Sequence, residues 1–157
     1  MSPNEVSELA SVAEALNAES NEVNTIIANL NTKLSALNIG IEGWAYPEED
    51  HIQIGWAKVD DKWQLATRYC EKIRLVTEPD HSGIGQTKEH FEPEPGTEYT
   101  LAPLLQASRE VRLRALGYMP TLIEELREEA KASVEKIREA KALAAEFAKL
   151  IDIPIRL

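Results

Sequence analysis

Apolar residues recur at alternating steps of three and four positions along the first 38 residues of the chain. Only one polar residue interrupts this series, which comprises Val6, Leu9, Ala13, Leu16, Ser20, Val23, Ile27, Leu30, Leu34 and Leu37. Such spacing places the side chains on one face of an α-helix, as in the seam of a coiled coil. The pattern therefore predicts a long, heptad-patterned helix over residues 1–38.

The two ends of this helix carry matching signals. Ser2, Pro3 and Glu5 combine a capping hydroxyl, a proline at the first helical position and an acid near the positive end of the helix dipole. Asn38 and Gly40 tolerate the left-handed conformation that closes a helix. The helix is therefore expected to begin at the start of the chain and to end near residue 38.

Residues 39–76 are rich in β-branched and aromatic residues and predict a three-stranded antiparallel meander. The expected strands are 39–46, 52–59 and 62–76. A two-residue turn at Asp60 and Asp61 would set the register of the central hairpin, with Lys58 opposite Trp63, Trp56 opposite Leu65, Ile54 opposite Thr67 and Ile52 opposite Tyr69. The face that carries these residues is predicted to be the buried one.

Residues 77–98 are rich in proline, glycine and acids, and we interpret them as an acidic surface loop. Helical periodicity returns in 99–118, and Gly117 with Pro120 is expected to separate this shorter helix from a second long one over 120–152. That helix carries a seam of the same spacing: Leu116, Met119, Ile123, Leu126, Ala130, Ser133, Ile137, Ala140, Ala144, Phe147 and Ile151.

These elements define an α+β fold in a single domain of residues 1–157. Two seams of matching length at opposite ends of a chain are most simply explained by an antiparallel, coiled-coil-like pair of helices. The meander and the shorter helix would then lie at one end of that pair. The same seams can also pair between chains, and the spacing alone does not separate the two arrangements.

Charge is distributed unevenly over the 157 residues, whose net charge is −10. Residues 1–38 carry −4, residues 39–98 carry −7, and residues 99–157 carry +1. The acidic field repels phosphate groups, so direct nucleic-acid binding is not expected. The lone Cys70 and the polar, acidic start predict a cytoplasmic protein, and no apolar run is long enough for a membrane span.

Two groups of residues are candidates for a binding site. The aromatic residues Trp44, Trp56, Trp63 and Tyr69 would give the sheet either a stacking platform or simply its core. Arg109 and Arg112 share a helix face where positive charge collects, and two guanidinium groups on one face suit a carboxylate or a phosphate. The competing interpretation is that these arginines bridge acids of the same chain.

Other motifs carry weaker signals. His81 and His90 lack the spacing of a metal site, the stretch 82–88 lacks the order of a phosphate-binding loop, and Cys70 has no adjacent base. The sequence therefore predicts no catalytic residue, no metal and no cofactor.

The sequence favours a non-enzymatic protein-interaction module, such as an adaptor, regulator or inhibitor, that binds a protein partner and forms a homo-oligomer. One alternative is a binder of a small anionic ligand or nucleotide that uses the aromatic sheet face with Arg109 and Arg112. Another is an acidic mimic of nucleic acid that inhibits a partner protein.

Overall fold

The computed structural model describes residues 2–45, 51–79, 85 and 87–151. Within these residues the chain forms two long helices, α1 (Pro3–Ala36) and α2 (Arg109–Ile151), and a short 3-10 helix (Leu104–Gln106). It also forms six strands: β1 (Gly43–Ala45), β2 (Ile52–Val59), β3 (Lys62–Tyr69), β4 (Ile73–Pro79), β5 (Thr87–Pro93) and β6 (Thr100–Pro103). The fold is α+β, as predicted.

Helix α1 begins with the predicted cap. The hydroxyl of Ser2 accepts a hydrogen bond from the backbone N–H of Glu5, and the Glu5 carboxylate accepts one from the backbone of Ser2. These reciprocal bonds satisfy two backbone donors that the first helical turn leaves free. The helix ends at Ala36, and Asn38 (φ 49°) and Gly40 (φ 62°) adopt the left-handed conformation just beyond it.

The central hairpin has the predicted register. Asp60 (φ 51°) and Asp61 (φ 63°) are both left-handed, as a two-residue turn that matches the strand twist requires. The turn pairs Trp56 with Leu65 and Ile54 with Thr67, and β1 joins the other edge of β2 in an antiparallel sense. This part of the meander is confirmed, although β1 is shorter than expected.

The third predicted strand and the acidic loop differ from the structure. Strand β3 ends at Tyr69, and the rest of the predicted strand continues as β4, which pairs with β5 in a separate two-stranded sheet. The prediction of a loop was therefore wrong for 77–79 and 87–93, whereas 80–84 and 86 lie outside the described residues. The acids of β4 and β5 do not prevent strand pairing, because Glu78 and Glu89 are exposed and the Glu92 carboxylate lies 2.6 Å from the Arg74 guanidinium. The backbone of β5 is thus held by pairing with β4.

The predicted break between a helix over 99–118 and a second one over 120–152 was wrong, whereas the prediction of a long C-terminal helix is confirmed. Residues 100–103 form β6, a fourth strand next to β3, and α2 is continuous through Pro120. The helix begins after Ser108, whose hydroxyl accepts a hydrogen bond from the N–H of Val111. Proline removes one helical hydrogen bond, but Ala115 and Leu122 are fully buried on either side of it, and their packing holds the helix together.

The two long helices do not form an antiparallel pair within the chain. The start of α2 lies beside the middle of α1, where Arg112 donates a hydrogen bond to Asn24. Farther along α2, Leu126 lies against Gly43 of β1. Across the sheet, Gly43 is level with Leu65, whose N–H is bonded to Asn31. Asn31 lies about two turns farther along α1 than Asn24. Helix α2 therefore runs in the same general direction as α1.

The main core lies between one face of the four-stranded sheet and parts of both helices. The second half of α1 contributes Ile27 and Leu34, the first half of α2 contributes Val111, Ala115, Leu122 and Leu126, and the sheet contributes Ala45, Ile54, Trp56 and Leu65. A smaller cluster of Trp44, Ala57, Val59 and Ala66 covers the other face. The sheet is thus buried on both faces near its centre.

Asn31 connects α1 to the backbone of the sheet. Strand β6 pairs with β3 only as far as Ala66, and the next N–H along, that of Leu65, donates to the Asn31 side-chain oxygen at 2.7 Å. We expect Asn31→Leu to lower the free energy of unfolding by about 2 kcal/mol, because the buried N–H loses its acceptor. Urea denaturation measures the change. The exposed neighbour Thr32 provides the control, and an equal loss in Thr32→Ala would contradict this role for Asn31.

Candidate functional site

The ends of α1 and α2 that lie away from the sheet are exposed. We call residues 3–19 the N-terminal arm and residues 134–151 the C-terminal arm. Every residue of the N-terminal arm is exposed, and so is every residue of the C-terminal arm except Ala148. Leu9 and Phe147, which the antiparallel arrangement would bring together, are 61% and 62% exposed. The two arms therefore do not cover each other within the chain.

Large apolar side chains are concentrated on both arms. Those on the N-terminal arm are Val6, Leu9, Val12 and Leu16; those on the C-terminal arm are Val134, Ile137, Leu143, Phe147, Leu150 and Ile151. Soluble monomers rarely expose contiguous apolar surface of this kind, which typically marks a site of interaction. The predicted seams thus lie on the surface over these stretches, while their inner parts belong to the core.

The arms differ in charge. The N-terminal arm contains Glu5, Glu8, Glu14 and Glu19 and no basic residue. The C-terminal arm contains the basic residues Lys136, Arg138, Lys141 and Lys149 against three glutamates. Two identical N-terminal arms would repel each other, whereas an N-terminal and a C-terminal arm carry charges of opposite net sign.

Arg109 and Arg112 lie where α2 begins, beside α1. They line a cavity of about 150 Å³ together with Leu16, Glu19, Ser20, Val23 and Leu113. Ser20, the polar residue that interrupts the first seam, lies in its wall and donates its hydroxyl hydrogen to the carbonyl of Leu16. The structure therefore brings the two arginines together beside α1, a helix that the sequence did not predict to lie next to them.

Arg112 has an unusual environment. It donates to the neutral side chain of Asn24, and its Nε is buried without a hydrogen-bond partner. Among the residues that the structure describes, neither arginine forms an ion pair with an acid within 4.0 Å. Arg112 thus forms a hydrogen bond to the Asn24 amide in place of the salt bridge to an acid of the same chain that the competing interpretation predicts.

The four aromatic candidates do not form one surface. Trp56 is 1% exposed and stacks on the partly buried Trp63, with ring centres 6.4 Å apart, so both belong to the helix-covered side of the sheet. Trp44 lies on the opposite face, because it pairs with Gly55 in β2. Tyr69 is exposed at the end of β3, an inner strand, beside His51. None of the four lines the cavity that holds the arginines.

Sequence reasoning missed Arg68, which lies between two aromatic rings. Its guanidinium carbon is 4.3 Å from the ring centre of Trp44 and 4.2 Å from that of Tyr99, and its Nε donates to Gln53. Cation–π contacts of this kind stabilise a partly desolvated arginine. The alternation of the strands placed Arg68 on the same face as Gly55, but only the position of Trp44 in β1 shows that an aromatic ring covers it.

The remaining candidates provide little reactive chemistry. Cys70 is buried, and its thiol faces the backbone carbonyl of Lys72 at 3.3 Å. Within the described part of the chain, no group of three or more His, Cys, Asp or Glu residues is arranged to hold a metal ion. His81 and most of the stretch 82–88 lie outside the described residues. Over the same described part, no helix combines the length and apolar character needed to cross a membrane.

The carboxyl group of Glu92, in the hairpin that β4 and β5 form, has a shifted pKa. The Arg74 guanidinium bonded to Glu92 lowers the pKa of that carboxyl, and His90, 3.4 Å away, contributes in the same direction. A lowered pKa means that this contact helps the folded state above the ordinary pKa of glutamate and is lost as the pH falls through the lower value. The Glu92 carboxyl group lies on the surface of the hairpin that β4 and β5 form.

Comparisons with known proteins identify no relative. No protein-family model matches the chain, and neither a curated protein nor a solved structure is significantly similar to it. Function must therefore be argued from the surfaces described above.

Proposed function

We propose that this protein is a non-enzymatic protein-interaction module, of the kind used by adaptors, regulators and inhibitors, and that its two helical arms are the binding surfaces. The observation that carries the proposal is the exposure of large apolar side chains along both arms. Isolated apolar residues are normal on a protein surface, but here they recur along the whole of each arm and, on the N-terminal arm, on one side of it.

The architecture supports the same function. The inner halves of α1 and α2 are fixed by the core, so the arms are continuations of anchored helices. A helix with an apolar stripe typically docks in a groove or against another helix, with anchors three, four and seven residues apart. Leu9 and Leu16, seven residues apart, and Ile137 and Ala144, also seven apart, have this spacing.

Affinity capture from the native host, followed by mass spectrometry, tests the proposal. Leu9→Gln/Phe147→Gln removes one large anchor from each arm, and Ser11→Gln/Ala142→Gln adds the same groups on the outward sides as a control. All four positions are exposed, so stability should hardly change. We expect the first variant to lose captured protein, further copies of this chain included, that the wild type and the control retain. Recovery of the same proteins by all three chains would contradict the proposal.

A second function, the binding of a small anion, has one observation in its favour. The Nε of Arg112 is buried without a partner, and Arg112 and Arg109 line the same cavity. An unsatisfied buried donor is costly, and a carboxylate or phosphate group would satisfy it. The aromatic sheet face is not part of this candidate, because Trp56 lies in the core and Trp44 on the far side of the sheet.

The substitution Arg109→Gln/Arg112→Gln separates a site from a structural contact. If an anion binds there, inorganic phosphate or citrate should raise the melting temperature of the wild type and leave that of the variant unchanged. If Arg112 only joins α2 to α1, the variant should lose about 1 kcal/mol of stability with the Asn24 hydrogen bond, and neither anion should have an effect. Anion-dependent stabilisation of both chains would place the bound anion elsewhere.

A further inference from the structure

The two arms of one chain are complementary to each other but are not in contact. They carry apolar stripes of similar length, they differ in net charge, and the direction of α2 places them at different ends of the shared core. Each arm therefore has a suitable counterpart only in another molecule. This reasoning rests on the proposed function, since it takes the arms to be interaction surfaces.

We propose that the partner is a second copy of this chain, and that the two copies exchange arms. The N-terminal arm of each copy packs on the C-terminal arm of the other in an antiparallel sense. Because α1 and α2 run in the same general direction, a two-fold axis across the molecule brings both pairs together at once. The contact is isologous and closes as a dimer without leaving an arm free.

Charge next to the stripes favours this pairing over its rivals. In the heptad numbering of the seams, Glu5 and Glu19 flank the stripe of the N-terminal arm, whereas Lys136 and Lys141 flank that of the C-terminal arm. Charges at such flanking positions select partners in helical pairs. Two N-terminal arms would bring glutamates together, so pairing of like arms is disfavoured.

The available area indicates a dimer of moderate strength. Each arm is about 25 Å long, and a helix about 10 Å wide presents over that length a strip on the order of 250 Å². Exchange of both arms involves four strips, on the order of 1,000 Å² in total, which is near the lower end for stable interfaces. The dimer should therefore dissociate on dilution.

Disulfide crosslinking between singly substituted chains tests the exchange. We expect Leu9→Cys mixed with Phe147→Cys to give a covalent two-chain product on mild oxidation, whereas Leu9→Cys alone gives little. Cys70 is buried and does not compete. A chain with both substitutions should also crosslink to a second chain. A crosslink within one chain, or self-crosslinking of Leu9→Cys at the same rate as the mixture, would overturn the proposal.

Sedimentation equilibrium tests the role of charge. Lys136→Glu reverses a flanking charge, and because the change occurs twice in a symmetric dimer, we expect a roughly tenfold weaker association. Lys149→Glu makes the same charge change on the outward side and should alter the dissociation constant less than twofold. Equal effects of the two substitutions would overturn charge-directed pairing.

The two proposals can fail separately. The exchange dimer would be overturned if the wild-type chain stays monomeric at hundreds of micromolar and the mixture of Leu9→Cys and Phe147→Cys chains gives no crosslinked product. If Leu9→Gln/Phe147→Gln nevertheless loses captured host proteins, the arms still bind a different protein, and only the identity of the partner is wrong.

Discussion

Replacing Gly55 by alanine should lower the free energy of unfolding by about 3 kcal/mol, near the upper end for overpacking of a core. A Cβ atom at this position would lie far inside van der Waals contact with the indole ring of Trp44 and with the carbonyl oxygen of Gly43. Neither can give way easily. The ring is held under Arg68, and the carbonyl belongs to the backbone of β1.

Urea denaturation compares this variant with Gly117→Ala. Gly117 lies inside α2 with open space where a Cβ would be, so alanine there should raise stability by about 1 kcal/mol through its higher helix propensity. The same chemical change is thus expected to have opposite signs at the two glycines. A loss below about 0.5 kcal/mol for Gly55→Ala would mean that Trp44 does not lie on the glycine.

The second large effect is expected for Leu122→Ala, at about 3 kcal/mol of lost stability. Leu122 is fully buried between α2 and the sheet, and truncation removes apolar contacts and leaves a cavity. Thermal or urea unfolding measures the difference directly.

The adjacent residue provides the control. Ile123 is 45% exposed, so Ile123→Ala should cost less than about 1 kcal/mol. The sequence pattern assigned Ile123, and not Leu122, to the second seam, so the two variants also decide between the pattern and the structure. A larger loss for Ile123→Ala than for Leu122→Ala would mean that α2 is rotated relative to the sheet.

Local signals predicted the parts of the fold that depend on neighbouring residues. The capping box of α1 involves Ser2 and Glu5, three positions apart, and the hairpin register follows from the turn at Asp60 and Asp61. In such cases the residues that specify the structure lie within the element itself. The prediction therefore did not depend on the rest of the fold.

Errors arose where distant contacts outweigh local preferences. Proline and acidic residues suggested a loop in 77–98, yet β4 and β5 pair across it. Pro120 suggested a break, yet buried Ala115 and Leu122 hold α2 together on both sides. The direction of α2 relative to α1 is fixed by contacts between residues far apart in the sequence, such as that of Arg112 with Asn24, which no periodicity records.

The candidate site was predicted only in part. Arg109 and Arg112 share a helix face, and this local relation was read correctly, but their neighbours on α1 come from a tertiary contact. The aromatic residues were grouped by chain position, although Trp44 lies on the other face of the sheet. A heptad seam has the same spacing whether it packs inside a chain or between chains, so the exposure of the arms could not be predicted.

The continuity of α2 has a mechanical consequence. Its 43 residues extend without interruption from the core to the tip of the C-terminal arm, a length of roughly 65 Å at 1.5 Å per residue. A protein bound at the end of the C-terminal arm would therefore be held at a distance from the sheet that the length of the helix sets. A flexible insertion between Ala130 and Val134 would remove this fixed distance and would uncouple the orientation of the C-terminal arm from that of the sheet.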